Sequence, residues 1–96
     1  MLDPNNFKEE ISLDQITLVV FGASWCMPCK MMKPVLADLS KTYRIMEIDC
    51  DEHPVETTTY NISSVPTLLF FKNSQIIKKM TGHQPKENII KVFEGK

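Results

Sequence analysis

The sequence predicts a single α/β domain over residues 1–96, in which helices flank a central sheet. Three observations support this prediction. Residues 16–21 form an unbroken apolar and β-branched run, which is typical of a strand buried on both faces of a sheet. After Cys26 the apolar residues recur at helical spacing, and the following segments alternate between strand and helix patterns. The first strand, helix and strand should therefore form a right-handed crossover with two parallel strands.

The first elements have clear boundary signals. Asp3 can cap a helix that has Pro4 in its first position, so a short helix is predicted over residues 5–11. Gly22 closes the strand at residues 16–21. In open α/β sheets ligands bind at the carboxyl ends of the strands, and residues 24–29 follow such an end. We therefore expect the functional site there.

A longer helix is predicted from Cys26 to about residue 41. Pro34 lies inside it and predicts a bend, because proline removes a backbone donor and crowds the preceding turn. The apolar positions at intervals of three and four predict one core face: Met31, Met32, Val35, Leu36 and Leu39. A second strand is predicted over residues 43–49.

The second half of the chain predicts a helix, a hairpin and a closing helix. Residues 55–60 have a weak helical pattern. Two apolar segments at 68–71 and 76–80 are separated by Lys-Asn-Ser-Gln at 72–75, which is typical of a hairpin turn. Residues 85–93 place their apolar side chains on one side of a final helix.

Composition excludes several function classes. A formal net charge of -1 with mixed signs gives no basic surface for nucleic acid, and no apolar run approaches the roughly 20 residues that a membrane helix needs. The first residues lack the basic start and apolar run of a secretory signal. We therefore expect a cytoplasmic protein whose partners are proteins, and we expect it to be a monomer.

The pair Cys26 and Cys29 carries the chemistry. Two intervening residues at the start of a helix let the two α-carbons approach within the roughly 4.4–6.8 Å that a disulfide requires. The helix N-terminus should lower the pKa of the first thiol, so Cys26 is predicted to be the attacking thiolate. Cys29, one turn deeper, should be more shielded and act second, resolving a mixed disulfide between Cys26 and a substrate.

Several motifs in a fixed order support a family resemblance. They are Val-Val-Phe-Gly-Ala at 19–23, Trp-Cys-Met-Pro-Cys-Lys at 25–30, Pro34, Val-Pro-Thr at 65–67, Phe-Phe-Lys-Asn at 70–73 and Gly82. From about residue 16 to the C-terminus the chain resembles the thioredoxin family.

This resemblance implies a thioredoxin fold, with a mixed sheet of four strands, or five if Met1 and Leu2 form a vestigial first strand. It also implies a protein-disulfide reductase that acts on disulfide-containing client proteins, is restored by a thioredoxin reductase and needs no bound cofactor. Pro66 would be cis beside the dithiol, and Trp25 would donate its indole N–H to Asp51. The residues expected to contact substrate are Trp25, Met27, Pro28, Val65, Pro66 and Gly82.

Three positions depart from the family pattern: Val20, Gly22 and Met27. Val20 stands where thioredoxins usually carry a buried Asp that helps to deprotonate the resolving thiol. Glu47 falls where the family has Lys or Glu beside that Asp, so we predict that a buried Glu47, with a raised pKa, takes part of the base role. Gly22 replaces a common aromatic residue, and Met27 replaces Gly in the motif, so redox potential and substrate preference should differ.

Two alternatives remain open from sequence alone. Cys26, Cys29, Cys50 and His53 have the spacing of a zinc ribbon, which would make the chain a structural zinc module. The chain could also be a thioredoxin-fold interaction domain with idle cysteines. Cys50 by itself is most often a small buried hydrophobe.

Overall fold

The computed structural model describes residues 1–96. A 3₁₀ helix, Pro4–Asn6, precedes four α-helices and four strands. In chain order they are α1 (Phe7–Ile11), β1 (Thr17–Gly22), α2 (Met27–Leu39), β2 (Arg44–Asp49), α3 (Pro54–Thr59), β3 (Thr67–Lys72), β4 (Gln75–Thr81) and α4 (Lys86–Glu94). Every predicted helix and strand is present, with boundaries that differ by one or two residues.

The sheet has four strands in the order β2-β1-β3-β4. β1 pairs in parallel with β2, and the pairs β1 with β3 and β3 with β4 are antiparallel, so the predicted mixed sheet is confirmed. The vestigial fifth strand amounts to one bridge: Leu2 pairs with Met46, and the Leu2 N–H donates to the Ile45 carbonyl over 2.8 Å.

The core lies on both faces of β1. Leu18 and Val20 pack on one face against α2 and α4, whereas Val19 and Phe21 pack on the other against α1. All four side chains are buried, which explains why the sequence of this strand is continuously apolar rather than alternating. The central strand is thereby held rigidly, and the segment that follows its last residue has a fixed starting point.

Local signals account for the element ends. The Asp3 side chain accepts a hydrogen bond from the Asn5 N–H over 2.9 Å, as expected for a cap. Asn73 and Ser74 have φ angles of 53° and 65°, the conformation of a two-residue hairpin turn that matches the twist of the strands. None of the helices combines the length and the apolar character needed to cross a membrane.

Candidate active site

The N-terminus of α2 positions the cysteine pair. Cys26 is the N-cap residue, and its sulfur accepts a hydrogen bond from the Cys29 N–H over 3.2 Å. Pro28 lies in the first turn, where a missing N–H costs the helix nothing because that group would have no intrahelical acceptor. The Cys26 sulfur therefore sits at the positive end of the helix dipole.

Cys26 and Cys29 form a disulfide with an α-carbon separation of 5.3 Å. They pack with Ala23 and the half-buried Val65. Cys26 is 4% exposed and Cys29 8% exposed, so the expectation that Cys29 is the more shielded of the two is wrong for this oxidised form. Ala23, just before α2, and Val65 pack against the pair and help to cover Cys26.

The segment beside the disulfide has the geometry that the family resemblance implies. The Val65–Pro66 peptide bond is cis, and Pro66 is buried. The Pro66 carbonyl accepts a hydrogen bond from the Gly82 N–H over 2.8 Å, which brings Gly82 to the same end of the sheet. Gly82 has a φ of 81°, so the backbone conformation itself favours glycine here.

Apolar side chains surround the buried pair. Trp25 is 70% exposed, Met27 is 63% exposed, and Pro28 is exposed as well. The predicted hydrogen bond between Trp25 and Asp51 is wrong, because the Trp25 side chain is exposed to solvent and not bonded to that carboxylate. Met31, predicted to belong to the core, is 62% exposed and enlarges this apolar surface.

A cavity of about 290 Å³ opens behind the disulfide. Cys29 lines it and Cys26 does not. Val20, Ala23, Leu36 and Ile48 form its buried apolar wall, and its more polar residues are Ser24, Lys33, Glu47, Asp49, Glu52 and His53.

Glu47 lies in this cavity with Cys29, but its expected burial is wrong. Its side chain is 29% exposed and forms an ion pair with Lys33, Nζ to Oε2, at 2.8 Å. The physical reason is the position of β2 at the edge of the sheet, where Glu47 can reach solvent and a cation on α2. Lys33 is not among the site residues predicted from the sequence. Its place one helical turn after Cys29 is the available signal that it faces the same cavity.

The zinc alternative finds no support. No three His, Cys, Asp or Glu side chains come together in a way that could hold a metal ion. Cys50 is a half-buried free thiol that packs against the cluster containing Met46 and Ile48, apart from the cluster that contains Cys26 and Cys29.

Comparisons with known proteins agree with this geometry. The thioredoxin family model matches residues 1–94. A thioredoxin of Staphylococcus aureus is 43% identical over 83 residues, which are 82% of this chain and 80% of that protein. A thioredoxin of Staphylococcus saprophyticus is 40% identical over 94 residues, covering 94% of this chain and 89% of that protein.

Solved structures extend the likeness to three dimensions. A Plasmodium falciparum thioredoxin superimposes with a TM-score of 0.83 at 30% identity, covering 95% of this chain and 91% of that one. A mutant thioredoxin from Halobacterium salinarum also gives 0.83, at 27% identity, covering 92% of this chain and 80% of that one. With its Cys-x-x-Cys disulfide at the start of α2, the chain belongs to the thioredoxin family of protein-disulfide oxidoreductases.

Proposed function

We propose that the reduced protein attacks disulfides of client proteins with Cys26. The observation that carries this assignment is the hydrogen bond from the Cys29 N–H to the Cys26 sulfur at the start of α2. A donor and a helix dipole that both point at one sulfur favour its thiolate, which is the nucleophile in thiol-disulfide exchange. Attack forms a bond between Cys26 and one client sulfur, and the second client sulfur leaves as a thiolate.

Cys29 then resolves the mixed disulfide. Its thiol loses a proton and attacks the Cys26 sulfur, which breaks the bond to the client, releases the client sulfur that Cys26 first attacked, and leaves Cys26 and Cys29 joined. The disulfide present here corresponds to that product. Two electrons have passed to the client, and no cofactor enters either step.

Glu47 is our proposed acceptor for the Cys29 proton. Val20 supplies no carboxylate, and Glu47 shares the cavity with Cys29. Its side chain is accessible to solvent at the edge strand, so a proton received there can be passed on to water. The carboxylate also forms a 2.8 Å ion pair with Lys33.

Client recognition is assigned to the exposed rim around the disulfide. Trp25, Met27 and Pro28 offer apolar contact area, since they are exposed next to a buried reactive pair. Val65, before the cis-Pro66, would offer backbone hydrogen bonds to an extended client segment, and Gly82 would leave open space for that segment where a side chain would otherwise project.

The cellular setting follows from this activity. We propose that a thioredoxin reductase restores the dithiol, that the protein works as a monomer in the cytoplasm, and that it carries electrons for redox homeostasis. A reducing compartment would keep Cys26 and Cys29 available for catalysis rather than locked as a structural staple.

Insulin reduction in the presence of dithiothreitol tests the proposal. The wild-type chain should accelerate precipitation of the insulin chains over the reagent alone, and Cys26→Ser should abolish the acceleration. Cys29→Ser should instead accumulate a mixed disulfide at Cys26 that mass spectrometry detects. A wild-type chain without any acceleration would identify an interaction domain with idle cysteines and overturn the proposal.

A further inference from the structure

The cavity behind the disulfide leads to one sulfur of the pair. Its rim is exposed at Ser24, Lys33 and Glu52, and its base is buried at Cys29. A volume of about 290 Å³ corresponds to roughly ten water molecules at their liquid volume, so it admits a molecule of a few heavy atoms but not a protein segment with its side chains.

Because Gly22 has no side chain, the Cys29 sulfur can be reached from the cavity. A Cβ atom added at Gly22 would stand 3.2 Å from the Cys29 sulfur and 3.4 Å from its Cβ. Gly22 also lines the cavity, so the space of the missing side chain joins the cavity to the sulfur. Any larger residue at this position would stand between them.

We propose that the cavity is a second entrance to the disulfide, through which a low-molecular-weight thiol carrying a cationic group attacks Cys29. This inference rests on the proposed redox function and names an additional reductant class for the same disulfide. Client proteins would meet Cys26 at the apolar rim, whereas the small thiol would meet Cys29 from the cavity, which Cys26 does not line.

The exchange balances with two equivalents of small thiol. The first thiolate forms a bond to the Cys29 sulfur, and the Cys26–Cys29 bond breaks with its electron pair on Cys26. That leaving group is favoured because the Cys29 N–H and the helix N-terminus stabilise the Cys26 thiolate. A second thiolate then attacks the small-molecule sulfur of the mixed disulfide, which frees Cys29 and releases the small disulfide. The protein is reduced and the two thiols are oxidised.

The charges around the cavity select the thiol. Glu47, Asp49 and Glu52 contribute three carboxylates, against the single ammonium of Lys33. Asp49 is fixed in place because its Oδ1 accepts from the Asp51 N–H over 2.8 Å. An amine on the incoming thiol is therefore attracted and a carboxylate repelled, most strongly at low ionic strength.

The test compares three thiols of different charge on the oxidised full-length chain: cysteamine, 2-mercaptoethanol and 3-mercaptopropionate. Each reduction rate is divided by the rate of the same thiol with 2-hydroxyethyl disulfide, which removes differences in intrinsic reactivity. The normalised rate should fall in that order, with about a tenfold span between the cationic and the anionic thiol at low salt. Gly22→Ala should slow all three thiols and remove the order.

A matched pair of charge changes keeps the test decisive if Gly22→Ala folds poorly. Glu52→Lys, at the cavity rim, leaves two carboxylates against two ammonium groups and should therefore remove the preference for the cationic thiol. Glu87→Lys, on α4 outside the cavity, should leave that preference as in the wild type. Equal normalised rates for the three thiols in the wild type would overturn the second entrance. The same result would follow if Glu52→Lys and Glu87→Lys changed the relative rates of the three thiols equally. In that case insulin reduction by the wild type would still support the proposed function. Only a wild-type protein that does not reduce insulin would count against that function.

Discussion

Glu47→Gln separates the proposed catalytic role of this carboxylate from its structural role. The substitution keeps the size of the side chain and removes its capacity to accept a proton. It also weakens the ion pair between Lys33 and Glu47. The two side chains are 60% and 29% exposed, so solvent screens their attraction. Pairs of this kind contribute about 0.2–1 kcal/mol, and the free energy of unfolding should fall by no more than that.

Glu47→Gln should affect the rate of the resolving step much more than it affects stability. A positioned general base contributes about 10²–10⁴-fold to a proton transfer, so release of the client from the Cys26 mixed disulfide should slow by about a hundredfold or more. Lys33→Met is the matched control, because it breaks the same ion pair and leaves the carboxylate in place. It should match Glu47→Gln in stability and keep a wild-type rate of release.

Single-turnover kinetics provide the measurement. The reduced protein is mixed with a symmetric disulfide whose thiol becomes fluorescent on release. The first phase reports formation of the mixed disulfide, and the second phase, recorded across pH, reports release of the thiol bound to Cys26. Glu47→Gln should release the thiol more slowly than the wild type near neutral pH, and its rate should rise more steeply with pH, because the Cys29 proton must then pass directly to solvent. A Glu47→Gln rate and pH profile equal to those of the wild type would refute the base assignment.

Three further predictions concern stability. Burial raises the pKa of Tyr60, and a hydrogen bond to a neighbouring carboxylate raises the pKa of Tyr43. Because these tyrosines lose their protons at lower pH in the unfolded chain than in the folded one, the free energy of unfolding should fall as pH rises above about 10. Replacing both by Phe should make the free energy of unfolding, measured by urea titration, less dependent on pH in that range. Phe71→Ala removes a buried ring that meets Tyr60 edge-on at 5.3 Å, and should cost about 3–5 kcal/mol in urea unfolding; a loss below about 1 kcal/mol would contradict the packing argument. Arg44→Met removes a half-buried guanidinium that bonds the Glu10 carboxylate over 2.7 Å, and should cost about 1.5–3 kcal/mol, clearly more than loss of an exposed ion pair in the same denaturation assay.

Elements with a strong and continuous pattern could be predicted from sequence because one physical cause dominates each of them. β1 is apolar at every position because both of its faces are covered, and the hairpin turn needs residues that tolerate a positive φ at Asn73 and Ser74. The core prediction for Met31 is wrong for a related reason. The buried positions of α2 follow the spacing of Met32, Leu36 and Leu39, and Met31 points about 100° away from that face.

The site itself could be predicted only where local sequence determines the geometry. Cys26 and Cys29 lie three residues apart at a helix start, and their meeting requires no information about the rest of the fold. The surroundings of Trp25 and Glu47 depend on which strand lies at the sheet edge and on how two loops are placed. Those features arise from tertiary packing, so the sequence pattern could not distinguish a buried base from an ion-paired carboxylate at the edge.

The two departures from the family pattern on β1 lie on the same face of the strand. Val20 and Gly22 are two residues apart on β1, so they project to the same face of the sheet, and both line the cavity at Cys29. In the parallel register Val20 stands opposite Glu47, and Gly22 stands opposite Asp49. Replacing a carboxylate and an aromatic ring on β1 thus opens space beside the resolving sulfur and leaves the nearest acids on β2. The proposed proton path through Glu47 and the proposed small-thiol entrance both follow from these two residues of β1.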